Sequence, residues 1–352
     1  MRKIVVITVA VIVIAAAGAI FYARDHSAKG ATTTTTTAPP TTTTTVPTGP
    51  LAPLTGLLDP TGVSLTRPAL TVKIENTPQA LPQWGVNEAD VVYEEIVNGG
   101  ITRLAAIFNS HAPTKIGPVR SVRPTDTQVV WPIGGIFAFS GGAPYAIDSI
   151  ETAPVKLIDE DAAGAAMFRD PNLEAPHNLF ASGPLLFAFK GTPTPPPGLF
   201  SYRASGTAAI GAPVTSFVVP FPSIYPVTWT WDTATQSWDR TLFGQADITG
   251  TGQRESPKNV IVMYVNYVNG IGTENSYADL QGSGTAMVFS GGREIVGTWS
   301  RGASMADVIQ YKTPSGATIK LTPGQTWVEL LNDGAALSIT RPVTSTTTST
   351  TS

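Results

Sequence analysis

The chain has 352 residues, a formal net charge of −3 and no cysteine. The small excess of acidic residues disfavours binding to nucleic acid and electrostatic attraction to anionic lipid. The lack of cysteine excludes disulfides and a lipidated cysteine, so an exported body of this length must rely on its hydrophobic core.

An apolar segment near the N-terminus predicts a membrane anchor. Residues 4–22 are uncharged and mostly apolar, and a helix of this length matches the ~30 Å hydrocarbon core of a bilayer. The basic residues within 1–3 favour a cytoplasmic N-terminus. The sequence therefore predicts a single-pass protein of the cell membrane with its body outside the cytoplasm. A cleaved signal peptide, which would leave the body secreted, is the alternative.

Low-complexity tracts flank the predicted body. Residues 23–50 are rich in Thr and Pro, and residues 338–352 are rich in Ser and Thr. Such tracts have too few apolar side chains to offset the entropy lost on ordering. We expect a disordered stalk before the body and a disordered tail after it.

The first part of the body, residues 51–190, is predicted to mix strands with short helices. Apolar and β-branched runs predict strands at residues 69–74, 89–97, 102–108 and 136–139. An Asn-Gly-Gly connection between the second and third of these runs is typical of a β-hairpin. A proline near the start of each favours helices at residues 124–131 and 144–150.

A proline-rich segment, residues 191–198, separates this part from a second part at residues 199–337. No central strand or helix tolerates that many prolines, so we expect a linker or a long loop. The second part predicts strands at residues 227–231, 237–240 and 259–267, and hairpins at residues 285–299 and 309–321. The fold class that follows is α+β. A mixed α/β N-terminal part packs with a β-rich, mainly antiparallel C-terminal part.

Short motifs occur along almost the whole body. They are Leu54-Thr55-Gly56, Val72-Lys73-Ile74-Glu75-Asn76, Lys115-Ile116-Gly117-Pro118-Val119-Arg120-Ser121-Val122-Arg123, Pro176-His177-Asn178-Leu179 and Pro323-Gly324-Gln325-Thr326-Trp327. Together they resemble the YerB-like family of bacterial cell-envelope proteins, which has two family segments and no established activity. The resemblance implies a location outside the cytoplasm and a two-part body. This sequence departs from lipoprotein members in carrying an apolar helix where they carry a lipidated cysteine.

Charged side chains inside apolar runs of the first part are the candidate site. On a strand, Glu94 and Glu95 face opposite sides, so one of them is expected to point inward. A buried carboxylate must be paired or protonated, and arginine can hold it through two bonds. The candidate ligand-binding residues are Glu75, Arg103, Arg120, Arg123, Asp126, Arg169 and Asn178, and the candidate catalytic residues are Glu94, Glu95 and His177.

Three interpretations of this group stay open. It is an internal ion-pair network, a pocket whose arginines bind an anionic or sugar-like ligand, or a catalytic site. Glycan cleavage requires two carboxylates flanking one bond, so Glu75 would have to join Glu94 or Glu95. His177 is a candidate general base, or alternatively a residue at a helix start with Asn178 as the cap.

No motif indicates a metal or a cofactor, because metal-ligand spacings, phosphate loops and dinucleotide fingerprints are missing from the sequence. The acidic run at residues 159–161 could bind calcium, or it could be a solvated loop. The tryptophans of the second part could stack on sugars or pack in the core. We predict an envelope binding or accessory protein whose partners are the cytoplasmic membrane, through residues 4–22, and a cell-wall glycan or an envelope protein. A glycan-cleaving enzyme is the alternative, so whether the protein is an enzyme stays open.

Overall fold

A computed structural model describes residues 49–222 and 226–343. The predicted cytoplasmic residues 1–3, the membrane segment 4–22, the stalk up to residue 48 and the tail from residue 344 lie outside the described residues. Within the part that is described, no helix is both long and apolar enough to cross a membrane.

Strands outnumber helices in the described residues, and the helices are short. The strands are β1 (Leu70–Asn76), β2 (Val91–Ile96), β3 (Thr102–Phe108), β4 (Ile136–Ala138), β5 (Lys156–Ile158), β6 (Met167–Arg169), β7 (Leu179–Ala181), β8 (Ser201–Tyr202), β9 (Ala212–Pro213), β10 (Ser216–Val219), β11 (Val227–Asp232), β12 (Ser237–Leu242), β13 (Gln245–Ala246), β14 (Asn259–Val268), β15 (Tyr277–Asp279), β16 (Ser283–Ser290), β17 (Arg293–Ser300), β18 (Gln310–Lys312), β19 (Lys320–Leu321), β20 (Thr326–Asn332) and β21 (Ser338–Thr340). The α-helices are α1 (Pro124–Val130), α2 (Pro144–Ile150), α3 (Glu160–Ala163) and α4 (Gly183–Phe187). Single 3-10 turns occur at Val63–Leu65, Pro78–Ala80, Val86–Glu88, Asn98–Gly100 and Gly164–Ala166.

A twelve-stranded mixed sheet forms the centre of the described structure. Its order is β18-β17-β16-β14-β20-β2-β3-β1-β4-β5, with β15 beside β14 and β9 beside β17. Strand β20, from near the end of the chain, lies between β2 and β14 and pairs parallel with both. The two predicted parts of the body therefore contribute to one sheet, because β20 of the second part is bonded directly to β2 of the first.

Both faces of the central strands are covered. A five-stranded sheet, β13-β12-β11-β10-β21, packs on one face, where Trp229 meets Trp327 edge to face with ring centroids 5.3 Å apart. Helix α1 lies against the other face, where Asp126 reaches Lys73 of β1. Strands β1 and β2 are buried along their whole length. Their polar side chains must therefore find partners inside the protein.

Most locally encoded elements match the sequence predictions. The hairpin of β2 and β3 and the helices α1 and α2 are confirmed. The fold is mostly β, with one large mixed sheet and few helices, so the expected α/β character of the first part is weaker than predicted. Residues 191–198 contain no strand or helix.

In the second part, the hairpin predicted at residues 309–321 is confirmed, whereas the predicted start of the tail is wrong. The predicted hairpin at residues 309–321 forms around a tight turn, where Lys312 bridges antiparallel to Thr318 and the Ile319 N–H donates to Tyr311 O at 2.9 Å. Its arms β18 and β19 also pair with β17 and β8. The predicted tail begins too early, because Ser338–Thr340 form β21 and pair with β10. The hydrogen-bond partner of β21 is therefore a strand that is distant in sequence.

Candidate functional site

Three neighbouring strands present the candidate residues, and alternation divides them between two faces. Glu75 of β1 and Glu95 of β2 flank Arg103 of β3 in register. Glu94 points to the opposite face, where the five-stranded sheet lies and Arg240 of β12 meets it. Glu94 and Glu95 therefore face opposite sides, as the strand period predicts.

The first polar group, here called the Lys73 triad, consists of Lys73, Glu95 and Asp126. The Lys73 ammonium contacts the Glu95 carboxylate and lies 2.7 Å from Oδ1 of Asp126, and its side chain is fully buried. Burial raises the pKa of Asp126 to about 6, although the Lys73 charge acts in the opposite direction. The other oxygen of Asp126 accepts the Arg123 backbone N–H at 2.7 Å and fixes the start of α1. The triad therefore removes Glu95 from contact with solvent.

The second polar group, here called the Arg240 cluster, lies between the two sheets. Its members are Arg240, Glu94, Asp247 and Glu329, all buried. Arg240 donates to Glu94 at 2.7 Å and pairs with Asp247. Burial acts to lower the pKa of Arg240, but these two carboxylates outweigh it and raise the pKa.

Both carboxylate oxygens of Glu94 are occupied by protein donors. Oε2 accepts from Arg240, and Oε1 accepts from Asn76 at 2.9 Å and Thr102 at 2.6 Å. An apolar cavity of about 280 Å³ borders Glu94, but the side chain has no exposed surface. A substrate would therefore have to displace three bonded partners to reach this carboxylate.

The third polar group, here called the Glu75 group, consists of Glu75, Arg120 and His177 and reaches the surface. The Glu75 carboxylate lies 2.8 Å from Nη2 of Arg120 and 2.9 Å from Nδ1 of His177. The side chain of Glu75 is only 2% exposed, whereas those of Arg120 and His177 are 19% and 26% exposed. Burial acts to raise the pKa of Glu75, but the hydrogen bonds from Arg120 and His177 outweigh it and hold the pKa below its ordinary value.

Beside this group lies the arginine cluster, which we define as Arg103, Arg120 and Arg123. Arg103 donates from Nη1 to the carbonyl and the hydroxyl of Ser121, at 2.9 and 3.0 Å. Arg123 approaches the same two atoms at 3.5 and 3.4 Å and donates to Val122 O at 2.8 Å. Burial and the neighbouring charges of Arg123 and Arg120 lower the pKa of Arg103 to about 10. The segment around Ser121 thus gathers three positive charges.

Arg169 and Asn178 form a separate pair beside His177. Arg169 donates to Asn178 at 2.8 Å and to Glu160 of α3 at 2.6 Å. No helix begins at His177, because the chain there leads into strand β7. The helix-start alternative for this histidine is therefore wrong.

The described residues do not form the catalytic arrangement that glycan cleavage would need. Glu75 and Glu95 share one face, but Arg103 lies between them in register and Glu95 is buried in its ion pair with Lys73. Glu94 lies on the opposite face and is buried in its ion pair with Arg240. Within the described ranges, no three His, Asp or Glu side chains could hold a metal ion together. In the acidic run, Asp159 caps α3 and Glu160 pairs with Arg169. The arrangement is suited to holding charge in place. Among the predicted residues, the Glu75 group, the arginine cluster and Arg169 approach solvent, whereas Glu94, Glu95 and Asp126 are buried.

Sequence reasoning missed Lys73 and Arg240, the two cations that neutralise the predicted glutamates. Lys73 stands alone as a cation within the apolar run of β1, and this is the signal that could have identified it. In β12, Arg240 lies two residues after the buried Trp238, so both side chains point to the same inward face of the strand. Its contact with Glu94 spans 146 residues of chain.

Known proteins resemble this chain over most of its length. Residues 54–192 match the family described as "Protein of unknown function (DUF3048) N-terminal domain", and residues 217–328 match its C-terminal domain. The protein named "Putative lipoprotein YerB" from Bacillus subtilis (strain 168) is 26% identical over 313 residues, which cover 82% of this chain and 88% of that protein. A crystal structure of YerB from Bacillus subtilis has a TM-score of 0.71 at 24% identity, covering 83% of this chain and 99% of the other. This structural likeness concerns the fold.

Proposed function

This chain belongs to the YerB-like family, and from that premise we propose that it is a cell-envelope protein whose arginine cluster binds an anionic ligand. The lipoprotein name of its relative supports attachment at the envelope. Residues 4–22, which are long and apolar enough to span a bilayer, supply the anchor in this proposal.

The observation that carries the proposal is that Arg103 and Arg123 both reach Ser121, with the charge of Arg120 close enough to act on Arg103. Glu75 is the carboxylate in direct contact with this cluster, through Arg120. Burial, and after it repulsion by the like charges of Arg123 and Arg120, lowers the pKa of Arg103. An anion bound between them would relieve that repulsion. Phosphate and carboxylate groups fit best, because guanidinium donates to them in parallel pairs.

The neighbouring residues hold the cluster in position. Glu75 fixes Arg120 and orients His177, while the Lys73 triad lies on the same face of the sheet. The Ser121 carbonyl and hydroxyl fix Arg103 and Arg123. A ligand would therefore meet donors whose positions are already set, which reduces the entropy lost on binding.

Titration of the full-length chain with pyrophosphate and with citrate tests the proposal. We expect heat of binding at low salt with at least one of the two probes. The affinity should fall as salt is added, because salt screens the attraction between the arginines and the anion. Arg123→Gln should weaken binding by about tenfold or more, since a charge-assisted hydrogen bond contributes on the order of 1.5–3 kcal/mol. Arg203→Gln is the matched control, because Arg203 is a half-buried arginine bonded to Ser290 and Thr322, outside the cluster.

Thermal unfolding of each variant separates loss of binding from loss of structure. A folded Arg123→Gln protein that binds as tightly as the wild type would contradict the proposal. So would a wild-type protein that binds neither probe at low salt. In either case the arginine cluster would serve to hold the segment around Ser121 in place.

A further inference from the structure

A cleft larger than the apolar cavity beside Glu94 lies on the described surface next to α1. Its volume is about 530 Å³, within the ~300–1,000 Å³ of small-molecule sites. Helices α1 and α2 form one wall, and the chain from the end of β14 to β15 forms the other. The cleft is lined by Gln128, Tyr145, Asn275, Tyr277, Asp279 and Gln281, among others.

The side chains that line this cleft have a distinct chemistry. They are amides, hydroxyls, two tyrosine rings, the single carboxylate of Asp279 and the apolar side chains of Pro124 and Met305, and no lysine or arginine is among them. An anionic ligand would meet no compensating charge here. Amides and a carboxylate offer both donors and acceptors to hydroxyl groups, and tyrosine rings offer apolar faces to C–H surfaces. That combination matches an uncharged, polyhydroxylated molecule.

The walls of the cleft are held in place by hydrogen bonds that cross between its two sides. Gln128 of α1 donates to Ala278 O at 3.1 Å and accepts the backbone N–H of Leu280 at 2.9 Å. The Tyr145 hydroxyl of α2 donates to the carbonyl of Glu274 on the opposite wall. These bonds fix the distance between α1 and β15, so the space between them does not depend on a bound molecule.

Several polar groups in the cleft are left available for a ligand. Within the described residues, no hydrogen bond engages the Tyr277 hydroxyl or the side-chain amide of Asn275. Asp279 accepts the Gln281 backbone N–H through Oδ1, which leaves Oδ2 free within the same part of the chain. The hydroxyls of Ser149 and Thr127 share one hydrogen bond of 2.8 Å, so the Ser149 hydroxyl can still accept another.

We propose that this cleft binds an uncharged oligosaccharide, with Tyr277 stacking on a sugar ring and Asn275 and Asp279 bonding its hydroxyls. The site is independent of the arginine cluster, although Pro124 at its edge directly follows Arg123 in the chain. A protein with both features would hold an envelope polymer at two chemically different places. The sugar site stands whether or not the arginine cluster binds anions.

Titration of the full-length chain with uncharged tetrasaccharides tests this inference. The probes are the tetramers of N-acetylglucosamine, glucose and galactose, and the protein is kept free of glycoside detergents, which would compete. We expect at least one tetramer to bind with an affinity that salt does not change. Tyr277→Ala should weaken that affinity by about tenfold or more, as truncation of a buried aromatic contact does. Asn275→Ala should weaken it by less.

Two controls separate this site from the other one. Arg123→Gln should leave tetrasaccharide binding unchanged, and Tyr277→Ala should leave pyrophosphate binding unchanged. Tyr264→Ala is the matched tyrosine control, because Tyr264 is a half-buried tyrosine of β14 that does not line this cleft. The inference is overturned if no tetramer binds the wild type. It is also overturned if a folded Tyr277→Ala protein binds as the wild type does.

Discussion

Arg240 is the residue on which the charge balance between the two sheets depends. Its guanidinium is fully buried and contacts Glu94 and Asp247, and Glu329 lies close by. Arg240→Met would leave these carboxylates without a counter-charge. Breaking a buried pair in this way costs about 3–5 kcal/mol, so we expect a loss of that size in the free energy of unfolding. Urea denaturation followed by tryptophan fluorescence measures it.

Arg169→Met provides the comparison for that prediction. Arg169 and Glu160 form an ion pair whose side chains are 45% and 33% exposed. An exposed pair of this kind contributes about 0–1 kcal/mol, so the loss should be small. Equal losses in the Arg240→Met and Arg169→Met proteins would show that the buried cluster is not a source of stability.

Asp126 predicts a pH dependence of stability. Its pKa is about 6 in the folded protein and near 3.8 when the chain is unfolded. Between these values the folded state binds the proton more tightly, so the contribution of Asp126 to stability falls as pH rises from about 4 to about 6. It then stays constant. The size is on the order of 3 kcal/mol, from about 1.4 kcal/mol for each pKa unit.

Urea unfolding of the wild type and of Asp126→Asn at several pH values checks this. The asparagine cannot titrate, so the wild type should lose stability relative to the variant between pH 4 and pH 6. Asp161→Asn serves as a control, because Asp161 is an exposed residue of α3. Parallel curves for wild type and Asp126→Asn would contradict the assignment of the raised pKa to this carboxyl group.

The limits of sequence reasoning at the residue scale follow from which contacts are local. Strand alternation is a local rule, and it correctly separates Glu94 from Glu95. The partners of these glutamates depend on tertiary pairing. Lys73 lies 22 residues from Glu95, and Arg240 lies 146 residues from Glu94. The expected arginine partners instead bond to Glu75 or to backbone carbonyls near Ser121.

At the scale of elements, β21 shows how a short polar strand becomes part of a sheet. Ser338–Thr340 has few apolar side chains, and its composition alone predicts disorder. It pairs with β10, and Ile339 packs against the core beneath the five-stranded sheet. Local composition therefore failed here because the partner strand lies more than a hundred residues away.

Truncation tests the contribution of β21. The free energy of unfolding should be about 1–2 kcal/mol lower for a chain ending at Leu337 than for a chain ending at Val343. The shorter chain loses the hydrogen bonds to β10 and the burial of Ile339. The shorter chain also loses the Arg341–Glu294 ion pair. Arg341→Ala in the chain ending at Val343 measures that part separately. Equal stability of the two truncated chains would mean that β21 adds nothing to the sheet.

Pairings between elements divide in the same way as contacts between residues. Hairpins closed by a short turn, such as β2 with β3 and β16 with β17, follow from the sequence because the turn fixes the partner. The insertion of β20 between β2 and β14 has no local signal, because parallel neighbours need long connections. The architecture of the central sheet therefore depends on the pairings that sequence patterns specify least.

At the scale of the whole molecule, the shared sheet couples the two family segments. The first segment ends at residue 192, and the second begins at residue 217. Strand β20 joins them through its parallel pairing with β2, and the Arg240 cluster joins them through Glu94. Separating the segments would expose the edges of β2 and β20 and leave Glu94 and Arg240 without each other. Neither segment is therefore expected to keep its structure when the other unfolds.

The described body should accordingly unfold in one cooperative transition. The lack of native cysteine allows a single label to report on each part. A dye on Asp161→Cys reports on the first part, and a dye on Ala234→Cys, in the turn between β11 and β12, reports on the second. Both positions are exposed, so the labels should leave the core unchanged. We expect the two dyes and the tryptophan signal to give the same urea midpoint, which is the test of two-state behaviour. Two separated midpoints would mean that the segments unfold independently, in spite of the sheet that they share.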